Sequence, residues 1–181
     1  MRITKEEVYN FLEGIFFENF GSVFRENHIF YEHYKVTDNF LRRKAIRQKK
    51  VPEILQPITR FDPILGKREI VALILSCLKD PMNVNEIIDW QASSPHEKLE
   101  LTFSCGKVIG DGIVIGTDWN VKHSFSDICV VLKPSTRGNN LFEILTAYPV
   151  PDLDESDECW DARDEWDDAH QDPTDIKRHS H

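Results

Sequence analysis

At Pro95 the spacing of apolar residues changes period, and that change constrains the fold more than any other feature of the chain. Before it, Val8, Phe11, Leu12, Ile15 and Phe16 recur at the three-and-four spacing of an amphipathic helix. Thr4 and Glu7 stand ahead of them in capping-box form, and the helix is expected to end around Gly21. Thr37 predicts the start of a second helix through DNFLRRKAIRQKK, stopped by Pro52, with Phe40, Leu41 and Ala45 turned inward. Residues 67–79, KREIVALILSCLK, are apolar on most sides and predict a buried helix ending at Asp80 and Pro81, with a short helix over residues 85–90 after it. Beyond Pro95, Leu99, Leu101 and Phe103 alternate with Lys98, Glu100 and Thr102, the pattern of a half-buried strand. Two further strand-like runs, residues 126–133 and 141–148, bracket the turn-rich PSTRGNN, and Gly106, Gly110, Gly112 and Gly116 punctuate the stretch before them. Glycines inside a strand pattern predict bends or bulges. Helices first and strands afterwards predict an α+β fold, with N-terminal helices packed on a C-terminal antiparallel β-meander.

A chain of 181 residues suits one domain. Its 40% hydrophobic content and four Trp argue for a packed core and against global disorder. No apolar run approaches the ~18 residues of a membrane span, and Glu6 and Glu7 stand where a signal peptide would need an apolar stretch. Cys77, Cys105, Cys129 and Cys159 have no paired spacing, which predicts reduced thiols in a cytoplasmic setting. The charge is uneven. Residues 151–181 hold 12 of the 31 acidic residues and three of the 22 basic ones, so this acidic tail carries the whole net charge of −9. Residues 35–68 hold ten Lys or Arg against Asp38, Glu53 and Asp62. Such a basic stripe is the footprint of a phosphate-bearing partner, or else a solvated helix face.

Several site classes fall away on inspection. The Gly-x-Gly at Gly110 and Gly112 lacks a following Gly-Lys-Ser/Thr and does not open a helix, so no nucleotide fingerprint is present. No CxxC or HExxH occurs, which leaves no zinc motif, and no cysteine has local company that would activate it. Two features remain. His28-IFYE-His33 is followed at once by the basic helix, and histidine is the side chain whose ordinary pKa suits proton transfer near neutrality. Thr146 and Tyr148 lie two apart on the last strand, so their hydroxyls share one face about 7 Å from each other while Ala147 points away and Pro149 stops the strand. Read singly, the histidine is a residue packed at a helix start, and the Thr/Tyr pair one chosen for β-propensity.

Together, these features resemble the RNase A-like toxin domain at the C-terminus of contact-dependent growth inhibition (CdiA) proteins. The family's His-x4-His element, with a Thr/Ser-Asp pair and leucines after it, is matched by His28, His33, Thr37, Asp38 and Leu41. Its spaced glycines, Val-Val-Leu-Lys strand and closing Ile-Leu-Thr-x-Tyr-Pro strand are matched by Gly110, Gly112 and Gly116, residues 130–133, and residues 144–149, and Ile87 and Trp90 fall where a helix end is expected. The resemblance covers roughly residues 27–150, leaving residues 1–26 as an N-terminal helical extension and 151–181 as the acidic tail. It implies an RNase A-like fold without disulfides and RNA cleavage without metal or other cofactor. It also implies RNA as substrate, a cognate immunity protein as partner, and action in the cytoplasm of a target cell. Carried over residue by residue, it makes His33 the general base, with Thr146 and Tyr148 beside the phosphate. The family's arginine, eleven residues after that histidine, is Lys44 here with Arg43 just before it, so the catalytic cation is one of these two; Arg42 and Arg47 would bind substrate. The family's glycine two after the histidine is Lys35. A second acid is open between His28 and His123. The alternative is a non-catalytic RNA- or protein-binding module, or an inhibitor whose acidic tail mimics nucleic acid.

Overall fold

A computed structural model describes residues 3–24, 26–48, 58–93, 97–113, 123–136 and 140–151. Among the described residues, five α-helices and six strands follow in the order α1 (Lys5–Glu13), a 3-10 helix (Phe17–Ser22), α2 (Glu26–Glu32), α3 (Asp38–Gln48), β1 (Ile58–Phe61), α4 (Lys67–Lys79), α5 (Pro81–Ser93), β2 (Leu99–Ser104), β3 (Gly110–Ile113), β4 (His123–Phe125), β5 (Asp127–Pro134) and β6 (Phe142–Val150). The fold is α+β. The tail, Gly116, Lys49, Lys50 and Pro52 lie outside the described residues.

Local chemistry accounts for most element ends. Thr4 and Glu7 close a reciprocal capping box at the start of α1. That helix stops at Glu13 rather than near Gly21, because Asn19 reaches back to accept from the Phe16 N–H and donate to the Gly14 carbonyl. The chain then tightens into the 3-10 helix, and Phe16, counted on the helical stripe, is left 60% exposed. Thr37 accepts from the Phe40 N–H at the start of α3. Asp80 ends α4 and caps α5, accepting from the N–H groups of Met82 and Asn83. Pro81 occupies the first helical position, where its missing N–H costs nothing, so the second helix is a full 13 residues rather than a short one.

The antiparallel strands form two three-stranded sheets, ordered β1-β3-β4 and β2-β5-β6. Two glycines set how closely the strands approach at the junction of these sheets. A side chain on Gly112 would collide with the Ile58 carbonyl and the Phe125 ring, and one on Gly110 with the Arg60 carbonyl and the Pro149 ring. These glycines therefore admit β1 alongside β3, and they bring the end of β6 onto the first sheet. Pro149 lies inside β6, opposite Ile128, instead of ending it. β6 is the outer strand of its sheet, where a residue without an N–H is tolerated.

One apolar core joins α1, α4 and α5 to the inner face of β2-β5-β6, through Val8, Leu12, Ile74, Leu78, Ile87, Leu101, Val130 and Ala147 among others. A second, small cluster of Leu41, Ala45, Ile58 and Ile113 seats α3 on β1 and β3. No helix among the described residues is long and apolar enough to cross a membrane.

Candidate active site

His33 is the first residue after α2, its N–H still bonded to the Ile29 carbonyl. The chain turns there because β1 takes hold of it. The Phe61 N–H donates to the His33 carbonyl at 2.7 Å, and the His33 ring nitrogen Nδ1 lies 3.0 Å from the Thr59 carbonyl. A carbonyl only accepts, so Nδ1 carries the hydrogen, and in the neutral ring the basic nitrogen is Nε2. The residue is 8% exposed.

The far face of β2-β5-β6, opposite the main core, meets this ring. Thr102, Cys129 and Tyr148 form one cross-strand row, and Glu100, Val131 and Thr146 the next. Tyr148 stacks on His33 with ring centroids 5.4 Å apart and planes 26° from parallel. Burial pushes the Tyr148 hydroxyl well above its ordinary range; Cys129, with which it shares a hydrogen bond, and the charge of Glu100 push it the same way. The Cys129 thiol is itself raised to about 11, chiefly by burial. Both groups keep their protons across the physiological range.

Thr146 sits one step along the same face, and Ala147 points into the core. The Thr146 hydroxyl is buried with no hydrogen-bond partner among the described residues. A buried hydroxyl left unpaired costs ~1–3 kcal/mol, the kind of deficit a bound ligand removes. Beside it the pairing slips by one residue between Val131 and Leu132, a bulge that tilts this stretch of β6.

The structure separates the two candidate cations. Lys44 turns toward α2, its Nζ 3.1 Å from the Glu32 carboxylate, next in sequence to His33. Arg43 stands on the exposed side of α3 with Arg42 and Arg47. Of the candidate acids, His28 lies in α2. His123 is in β4, in a row with Gly112 and Thr59, two strand spacings or about 10 Å across the sheet from the strand that holds His33.

Sequence reasoning missed β1 entirely, and with it Thr59 and Arg60. The signal was there in outline: Ile58 and Thr59 are β-branched, and the run is bounded by Pro57 and Pro63. The place of Cys129 beside Tyr148 follows from strand register and not from any local motif.

The fold has a counterpart among solved structures. A chain of the crystal structure of a CdiA-CT/CdiI complex from Y. kristensenii matches with a TM-score of 0.54 at 16% identity, over 68% of this chain and 99% of that one. At that identity the likeness is one of fold. No family model matches the sequence, and no curated protein does.

Proposed function

We propose that this protein is a metal-independent endoribonuclease of the RNase A-like toxin type, with its catalytic unit in residues 27–150. The observation that carries the reading is the stacking of His33 on Tyr148 at 5.4 Å, with Nδ1–H committed to the Thr59 carbonyl. Catalytic groups must reach one substrate together, and a general base needs its tautomer set. The fold shared with a chain of a CdiA-CT/CdiI complex supports a toxin- or immunity-like role in contact-dependent growth inhibition; the His33–Tyr148 site favours the toxin, with an immunity protein as partner.

RNA supplies its own nucleophile. In the proposed reaction Nε2 of His33 takes the proton from the 2′-hydroxyl, and the 2′-oxygen attacks phosphorus. The bond to the 5′-oxygen breaks, leaving a 2′,3′-cyclic phosphate and a 5′-alkoxide that takes its proton from solvent water. Tyr148, held protonated, donates a hydrogen bond to the non-bridging oxygens rather than giving up its proton. The unpaired Thr146 hydroxyl is the second donor. Lys44 is the cation whose contact, with Glu32 next to His33, brings it toward the site, and that ion pair must loosen or be shared for it to meet the phosphate. Arg42, Arg43 and Arg47 track the RNA backbone.

The Lys44–Glu32 pair also favours a second reading, a non-catalytic RNA-binding module whose cation is committed elsewhere. One experiment separates the two: total RNA incubated with purified protein in EDTA, with His33→Ala and Tyr148→Phe controls. The enzyme reading expects cyclic-phosphate ends, a His33→Ala loss of about 10²-fold or more, and no cutting of single-stranded DNA. The rate should fall below about pH 6 as His33 protonates, with no fall on the alkaline side from Tyr148 up to its ordinary pKa. Loss of activity in EDTA, or equal cutting of DNA, rules the mechanism out.

A further inference from the structure

We infer that Arg60 is a positioning residue that fixes the spacing between His33 and the cationic helix α3; the inference rests on the ribonuclease reading of the site. Arg60 is on β1, between the two residues that hold His33: Thr59 accepts from the imidazole and Phe61 donates to the His33 carbonyl. Its guanidinium points the other way, toward α3. Nη1 donates to the Val36 carbonyl at 2.6 Å, and Nη2 lies 2.9 Å from the carboxylate of Asp38, the first residue of α3. From β3, Asp111 grips the same guanidinium with both oxygens, at 2.6 Å to Nε and 3.0 Å to Nη2. The side chain is 11% exposed.

The segment from His33 to Asp38 is thus held to β1 at both ends. His33 is held by the backbone of Thr59 and Phe61, and Val36 and Asp38 by the side chain of Arg60. Between these anchors Lys35 adopts a positive φ of 52°, so the segment is a tight, strained turn rather than a slack loop. Among the described residues, the apolar seat of α3 is the cluster of Leu41, Ala45, Ile58 and Ile113, with Val36 beside them. Such a small cluster resists lifting of the helix but not sliding or tilting, because dispersion contacts are non-directional. Direction comes from the planar fork of Arg60, which a lysine cannot reproduce. Lys44 and Arg43 both ride on α3, so their distance from His33 follows the Arg60 contacts. A displacement of about 1 Å in such a pair can cost ~10²-fold in turnover.

The test uses the full chain with Arg60→Gln, Arg60→Lys and Asp111→Asn. Urea unfolding checks each variant's fold, imidazole ¹⁵N shifts and titration report His33, and steady-state kinetics separate kcat from KM. The expected result for Arg60→Gln is a kcat lower by about 10–100-fold with KM within about threefold, and a His33 spectrum moved from a single Nδ1–H tautomer toward a mixture. Arg60→Lys should recover part of the loss, and Asp111→Asn should fall between Arg60→Gln and wild type. A folded Arg60→Gln with wild-type kcat and a wild-type His33 spectrum overturns the proposal. Should Arg60→Gln fail to fold, a wild-type His33 spectrum in both other variants overturns it instead. If the wild-type protein cuts no RNA, the ribonuclease reading falls, and the His33 spectra alone still decide whether Arg60 orders the ring.

Discussion

Lys35 shows how one residue can keep a conformation that its side chain disfavours. Its φ of 52° lies in the left-handed region, which costs an L-residue ~1–2 kcal/mol and glycine almost nothing. Part of the cost is offset by the Lys35 ammonium over the Tyr34 ring at 5.2 Å, worth ~0.5–1 kcal/mol at an exposed site. Lys35→Gly is therefore expected to stabilise the protein by about 0.5 kcal/mol net, read as a higher urea midpoint at unchanged slope. A lower midpoint would mean that the lysine's contacts outweigh the backbone strain. The same residue marks how far the site was legible. His33, Thr146 and Tyr148 stand in short local patterns, a histidine before a basic helix and two hydroxyls two apart on a strand. Thr59, Arg60 and Cys129 acquire their parts only through pairing across long loops, and nothing in their immediate neighbours announces it.

At the scale of elements, local chemistry carried the helices further than the strands. Capping residues and Pro81 act within a turn of where they stand, so Thr4, Thr37 and the Asp80–Pro81 break were readable from sequence. Strand partnership is non-local, and β1 joins β3 only because Gly110 and Gly112 leave room that periodicity cannot report. The β5–β6 hairpin adds a buried electrostatic lock that the sequence reading passed over. Glu143 is 5% exposed, accepts from the N–H and hydroxyl of Thr136, and pairs with Lys133 at 2.8 Å. The hydrogen bond from Lys133 leads in holding its pKa at about 2, against an ordinary value of 4.5. A carboxylate depressed in the folded state stabilises above its unfolded pKa and loses that contribution as the pH falls through the folded one. The acid limb of stability should therefore run from about pH 4.5 to pH 2, with an amplitude of about 3 kcal/mol at most from this group. Glu143→Gln should lower stability at pH 7 by about 2 kcal/mol and flatten that limb. Parallel acid limbs for the variant and wild type in urea titrations would assign the acid sensitivity to other carboxylates.

At the scale of the molecule, the proposed site lies where the two sheets meet: β1 holds His33 at the end of α2, β6 presents Thr146 and Tyr148, and Pro149 rests on Gly110 at the junction. The basic helix α3 flanks the junction, and residues 1–150 taken whole carry 19 acidic and 19 basic side chains. The full chain nevertheless carries −9, all of it in residues 151–181, which begin one residue beyond the strand that bears Tyr148. Charge tethered there repels RNA through the solvent whatever conformation the segment takes, because the field acts over a Debye length. That length is ~30 Å at 0.01 M salt and ~8 Å at 0.15 M. Ending the chain after Pro151 removes no described helix or strand and returns the net charge to zero. RNA affinity should then rise by about tenfold near 0.01 M salt and by no more than about twofold near 0.5 M, as screening shortens the reach of the tail. The measurement is a pair of salt-dependent binding curves for full-length and truncated protein, with His33→Ala in both to prevent cleavage. Curves that coincide at low salt would show that the acidic segment does not act on this site. A gap that persists at high salt would mean a direct non-ionic contact of the segment rather than a field.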